Sequence, residues 1–169
     1  LEALCDRGMQ TQVLGEIKDY WGGMLREGAT SFWEKYVPSD SGAQHLAMYG
    51  RPYGKSLCHA WGASPIYLLG KYYLGVKPLK PGYQEFSITP ELGGLKWMEG
   101  TVPTPNGEIS LYVNEREIKV KATEGEGYLY FKSKKTPKST YGTVEKTGKD
   151  SYRLKIDTDK EIKVTYKHI

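Results

Sequence analysis

From Pro81 onward the apolar residues of this 169-residue chain recur at every second position, and that period narrows the fold more than any other feature. Successive side chains of a strand point to opposite faces, so a period of two marks a sheet with one buried face. Strands are predicted at Glu85–Ile88, Leu95–Val102, Glu108–Asn114, Glu117–Ala122, Tyr128–Phe131, Thr140–Lys146, Ser151–Ile156 and Glu161–Tyr166. Asn106-Gly107 is a strong hairpin signal, because both residues tolerate the positive φ of a tight primed turn. Asn114-Glu115-Arg116 and Thr147-Gly148-Lys149-Asp150 read as further turns. Short strands at this spacing predict an antiparallel β-sandwich.

Before Pro81 the period is helical. Val13, Leu14, Ile17, Trp21, Met24 and Leu25 share one face of a first helix, which Gly22-Gly23 weakens and Gly28 closes. A second helix fits Ser56 to Leu74, with Ser56 as N-cap, a kink or break at Pro65, and Gly75 as C-cap. Leu57, Ala60, Trp61, Ser64, Leu68 and Tyr72 fall on its face. Residues 29–55 lack periodicity and form a long loop, of the kind that often carries function. The fold class is therefore α+β, with helices over residues 1–80 and the sandwich over 81–169. Two helices with wide apolar faces cannot bury those faces alone. Leu1-Glu2-Ala3-Leu4 also lacks an initiator Met and reads as the middle of a helix. Both features predict a piece of something longer, and the uncovered faces predict self-association.

Composition excludes several classes. Hydrophobic residues are 38% and charged residues 26%, enough for a packed core. The net charge of +4 rests partly on Lys132, Lys134, Lys135 and Lys138. No nucleic-acid motif accompanies them, so a solvated turn is predicted and no nucleic-acid partner. Cys5 and Cys58 belong to no CxxC or Cys/His ligand pattern, and neither metal nor cofactor is predicted. No apolar run reaches membrane-spanning length. The localisation stays open.

The chemistry concentrates in two motifs. Gly28-Ala29-Thr30-Ser31-Phe32-Trp33-Glu34 sets a carboxylate beside a large aromatic at a helix–loop junction. Glycosidases need that pair, one group to move a proton at the anomeric centre and one to stack on the sugar. Plain packing plus a surface charge gives the same pattern. Cys58-His59-Ala60-Trp61-Gly62-Ala63-Ser64-Pro65 puts His59 in the first turn of the second helix, where the helix N-terminus keeps the imidazole neutral. A structural His with a satisfied partner is the plainer reading.

Together, GATSFWE, CHAWGASP and LLGKYYLGVKPLKPGYQEFSITP resemble, in that order and spacing, the C-terminal part of the bacterial α-L-rhamnosidases. The resemblance runs from about Tyr20 to beyond Gly107, and more loosely to the end. Leu57-Cys58 stands where members of the family often have Asn. The resemblance implies that residues 1–80 are the last helices of an (α/α)6 barrel and that 81–169 are the appended sandwich. It implies that Glu34 is the general base of an inverting hydrolysis and that His59 contacts rhamnose. Trp33 and Trp61 would wall the sugar pocket. The resemblance also implies that the general acid lies in an earlier part of the barrel; Glu16, Asp19 and Glu27, on helical positions without an aromatic companion, read as surface or packing charges. The implied partners are rhamnosides and the preceding part of the same polypeptide. Three alternatives stay open: another sugar specificity on the same barrel, a carbohydrate-binding sandwich using Tyr112, Tyr128, Tyr130 and Tyr141, and a sandwich that only braces the barrel.

Overall fold

The computed structural model describes residues 1–105 and 107–169, and these divide into two compact units, Leu1–Leu68 and Leu69–Ile169. The division falls ahead of the expected change at Pro81. Its cause is a strand that sequence reading passed over, β1 (Val76–Pro78), which pairs antiparallel with β2 (Glu85–Ile88). Three residues ending in a proline are too short to display alternation.

The first unit contains α1 (Glu2–Cys5), α2 (Gln10–Arg26) and α3 (Ser64–Leu68). Val13, Leu14 and Met24 of α2 are buried as the helical period requires, whereas Leu25 is exposed. The helix ends as predicted at Gly28. With φ 86° that glycine lets its own amide reach Leu25 O (3.0 Å) and the Ala29 amide reach Met24 O (2.9 Å). Gly23 does more than weaken the helix. A Cβ there would lie 2.3 Å from Tyr36 Cε1, so the missing side chain is the space in which Tyr36 packs. Tyr36, Met24 and Trp33 form a small core with Tyr20, Trp21 and Ala29 around it.

Two expectations are corrected in this unit. Residues 29–55 are not structureless: a 3-10 helix spans Gly42–Leu46, and Met48 and Arg51 exchange two backbone bonds across a tight turn (3.0 and 2.9 Å). The second helix does not run from Ser56 to Leu74. Ser56–His59 is not helical, with bends at Leu57 and Cys58, because its backbone is engaged by the Phe32–Glu34 segment: Glu34 N–H donates to Ser56 O (2.9 Å) and His59 N–H to Phe32 O (2.8 Å). Helical structure begins as a 3-10 turn at Ala60–Ala63 and becomes α3 at Ser64. The break expected at Pro65 is there, with Pro65 in a first helical turn, where a missing N–H costs nothing. Leu69–Tyr73 is a separate π-helical turn belonging to the second unit.

Among the described residues the second unit holds ten strands in two sheets. They continue with β3 (Trp97–Thr104), β4 (Gly107–Asn114), β5 (Glu117–Ala122), β6 (Glu126–Lys132), β7 (Lys138–Ser139), β8 (Val144–Gly148), β9 (Ser151–Ile156) and β10 (Ile162–Thr165). One sheet runs β1-β2-β6-β9-β8 and the other β3-β4-β5-β10-β7. All pairs are antiparallel except β2 and β6, which are parallel. The expected Thr140–Lys146 strand is in fact two, β7 pairing with β10 and β8 with β9, so the chain changes sheets there. Asn106 of the Asn106-Gly107 turn lies outside the described residues. The alternation holds throughout: Ile109, Leu111 and Val113, then Ile118, Val120 and Ala122, and likewise Leu129, Leu154, Ile156, Ile162 and Val164 are buried. Each such aliphatic side chain contributes about 1.5–3 kcal/mol on burial. The basic run is the solvated turn it reads as, with Lys132, Lys134, Lys135 and Lys138 all exposed.

Candidate functional site

Glu34 leaves the core cluster at Trp33 and meets two elements that sequence reading did not connect to it. The Tyr49 hydroxyl donates to Glu34 Oε1, and the Ser56 amide donates to Oε2 (3.1 Å). The side chain is only 5% exposed, and His59 Nδ1 stands 3.9 Å from Oε2. Trp61 Nε1 donates to the Glu34 backbone oxygen (3.0 Å), and its ring lies 4.2 Å, centroid to centroid, from that of His59. Three predicted residues, Glu34, His59 and Trp61, therefore meet in one place.

Their surroundings set the charge. The Tyr49 hydrogen bond holds the Glu34 carboxyl below its usual range. Partial burial pushes the other way, and the Ser56 amide and the charges of His59 and Lys55 reinforce the lowering. The same bond raises the Tyr49 phenol. Glu34 is thus a carboxylate at neutral pH, an acceptor of protons and not a donor. His59 is corrected in its conformation: it is not in a helical first turn but is the extended N-cap residue of the 3-10 helix (φ −127°, ψ 120°). Its proximity to Glu34 comes from the backbone bonds of Glu34 N–H to Ser56 O and of His59 N–H to Phe32 O and not from a helix terminus.

The two tryptophans separate. Trp61 is 66% exposed, whereas Trp33 is 6% exposed and belongs to the core. Trp33 supports the site from beneath and the open ring beside the carboxylate is Trp61. Under Trp33 lie two residues absent from the sequence reading. His45, 3% exposed, stacks on Tyr36 (5.6 Å, 7° between planes), and Lys55, 8% exposed, stands 6.0 Å from the Trp33 ring centroid.

Tyr49 also escaped detection. It occupies the tight turn between Met48 and Arg51 with φ 53°, followed by Gly50 at φ 72°. Positive φ at both central residues is the geometry of a primed hairpin turn. A bulky side chain is rare there and the backbone is strained. The hydrogen bond to Glu34 is what that conformation achieves. A Tyr-Gly pair inside a loop was the only available signal. Among the described residues no group of three or more His, Cys, Asp or Glu residues is arranged to hold a metal ion, and no helix is long and apolar enough to cross a membrane.

Comparison with known proteins gives a consistent set of likenesses. Residues 75–123 match the family model of the bacterial alpha-L-rhamnosidase C-terminal domain. A curated α-L-rhamnosidase of Alteromonas sp. (strain LOR) is 34% identical over 94 residues, covering 54% of this chain and 10% of that protein. A solved GH78 family rhamnosidase of Bacillus sp. GL1 is 32% identical with a TM-score of 0.58, over 76% of this chain and 14% of that one. The α-L-rhamnosidase of Streptomyces avermitilis complexed with L-rhamnose superposes with a TM-score of 0.65 at 17% identity, over 87% of this chain and 15% of that one. That of Dictyoglumus thermophilum gives 0.59 at 18%, over 86% and 17%. The last two show a shared fold. The chain spans between 10% and 17% of the length of these relatives.

Proposed function

We propose, from the match of residues 75–123 to the family model of the bacterial alpha-L-rhamnosidase C-terminal domain, that this chain supplies one half of the catalytic pair of an inverting glycosidase acting on terminal α-L-rhamnosides. Glu34 is the general base. Leu1–Leu68 holds the last helices of an (α/α)6 barrel, and Leu69–Ile169 is the appended sandwich. The observation that carries this reading is the ionised Glu34 carboxylate, held by Tyr49 and the Ser56 amide beside His59 and the exposed Trp61.

The chemistry follows from that arrangement. Inversion uses a base to take a proton from water and an acid, about 6.5–9.5 Å away, to protonate the leaving oxygen. Glu34 suits the base, because its carboxyl stays ionised below the usual range. His59 and Trp61 line the sugar side, the ring of Trp61 offering a face for stacking on C–H groups. The acid comes from residues outside this chain, since among the described residues no second carboxylate stands at the Glu34 cluster.

The test has two parts. The 169-residue chain alone should not hydrolyse an aryl α-L-rhamnoside. A full-length enzyme containing it should release β-L-rhamnose as the first product, seen by NMR before mutarotation. Turnover by the chain alone, or α-L-rhamnose as the first product, sinks the assignment.

Tyr49→Phe offers an independent check on how Glu34 is held. The phenol is the largest cause of the lowered Glu34 pKa, so its loss raises that pKa. A base is active when deprotonated, and its rate falls as pH drops through its folded pKa. The acidic limb of the kcat/KM profile should therefore move to higher pH in the variant. An unmoved limb would mean that Tyr49 does not control Glu34.

A further inference from the structure

The outer face of the second sheet carries a different kind of surface, built of residues that the Glu34 cluster does not use. Across β3, β4, β5 and β10, the outward side chains form successive rows. Trp97 pairs with Asn114, Glu99 with Tyr112 and then Lys119 and Lys163, and Thr101 with Ser110 and then Lys121. Trp97 is 58% exposed although it begins a strand of the sandwich. Its ring stacks alongside that of Tyr112, 6.4 Å between centroids and 23° between planes. The Asn114 amide donates to the Tyr112 hydroxyl (3.1 Å), which fixes that ring. Next to the pair runs a groove of about 460 Å³ lined by Glu99, Ser110, Tyr112, Lys119, Lys121 and Glu161.

We propose that this groove, together with the exposed Trp97 ring that adjoins its Tyr112 wall, is a carbohydrate-binding site distinct from the Glu34 cluster, in which a neutral pyranose ring of an oligosaccharide stacks on Trp97 and Tyr112 and its hydroxyls bond to Glu99, Ser110, Lys119 and Lys121. The volume lies in the roughly 300–1,000 Å³ span of small-ligand sites. Two nearly parallel rings side by side make an extended face for the C–H side of a sugar. The polar lining alternates in sign, so it presents donors and acceptors to hydroxyl groups that have both. That same alternation disfavours a phosphate or a nucleic acid, whose backbone the carboxylates of Glu99 and Glu161 would repel. An apolar protein segment would leave these charged groups unpaired on burial. Lys119 Nζ lies 5.4 Å from the Tyr112 centroid, so this ring carries a cation as Tyr128 and Tyr141 do, and it is the exposed Trp97 ring beside it that sets this surface apart.

The proposal is tested on the whole 169-residue chain by two-dimensional NMR. The probes are methyl α-L-rhamnopyranoside, methyl β-D-glucopyranoside and xylotriose. At least one should give saturable shifts of the Trp97 indole N–H and of the amides of residues 99–101, 110–112 and 119–121. Tyr112→Ala should weaken that binding about tenfold, the scale of losing one stacked aromatic. Lys119→Gln, at a partly exposed position that does not threaten the fold, should weaken it as well. Glu34→Gln should leave it unchanged, which keeps this result distinct from the fate of the catalytic assignment. No saturable shift with any probe overturns the proposal. So does binding that Tyr112→Ala and Lys119→Gln leave intact, or binding that Glu34→Gln abolishes.

Discussion

In a full-length enzyme containing this chain, Glu34→Gln lowers kcat by at least about 10²-fold, the scale of lost general-base catalysis. The substitution keeps size and shape. It keeps an acceptor oxygen for Tyr49 or for the Ser56 amide, but it removes the charge that both stabilise. The carboxylate is the only group of the cluster that is anionic at neutral pH and can take a proton from water. KM should change little by comparison, because Trp61 and His59 remain to hold the sugar. The measurement is steady-state hydrolysis of an aryl α-L-rhamnoside by wild type and variant, with circular dichroism to establish that both are folded. A near-normal kcat in a folded variant removes Glu34 from the reaction and, with it, the reading of the whole cluster as a catalytic half-site.

The largest effect on stability is expected at Gly75. This residue lies between the π-helical turn Leu69–Tyr73 and β1, with φ 74°. It also lies against Thr89. The Thr89 amide donates to Gly75 O (3.0 Å), and a Cβ on Gly75 would sit 1.9 Å from Thr89 O. Alanine would thus incur left-handed backbone strain of about 1–2 kcal/mol and an overpacking cost of about 1–3 kcal/mol. Urea denaturation of Gly75→Ala should show a stability loss of about 2–5 kcal/mol through a lower midpoint at unchanged slope. Gly82→Ala separates the two contributions. Gly82 has φ 66° but nothing within 4 Å of its would-be Cβ, so only the strain applies. Equal losses at the two positions would mean that the Thr89 backbone yields freely and the close approach is not a constraint.

Much of the sandwich was legible because alternation is a local property. β2, β5 and β9 begin and end where the period-two pattern places them, at Glu85–Ile88, Glu117–Ala122 and Ser151–Ile156. The closure of α2 at Gly28 was legible for a similar reason, since a left-handed C-cap needs only the residue that occupies it. Strand partners were not. A strand's sequence records which of its faces is buried but not which neighbour takes its hydrogen bonds, so the parallel β2/β6 pair and the change of sheet between β7 and β8 follow from three-dimensional closure. The second helix failed for a related reason. The Ser56–His59 segment has a helical face on paper, but its backbone bonds are taken by Phe32 and Glu34, far away in sequence.

The site divides along the same line. The residues and their spacing set a helical part before a β-sandwich, and the family resemblance, not local chemistry, singled out Glu34, His59 and Trp61. Only the tertiary structure brought those three together, buried Trp33 beneath them, and added Tyr49 from a strained turn. The physical reason is that a carboxylate's protonation state depends on what lies within hydrogen-bonding reach. For Glu34 that is a phenol 15 residues away and an amide 22 residues away, and no local pattern encodes either contact.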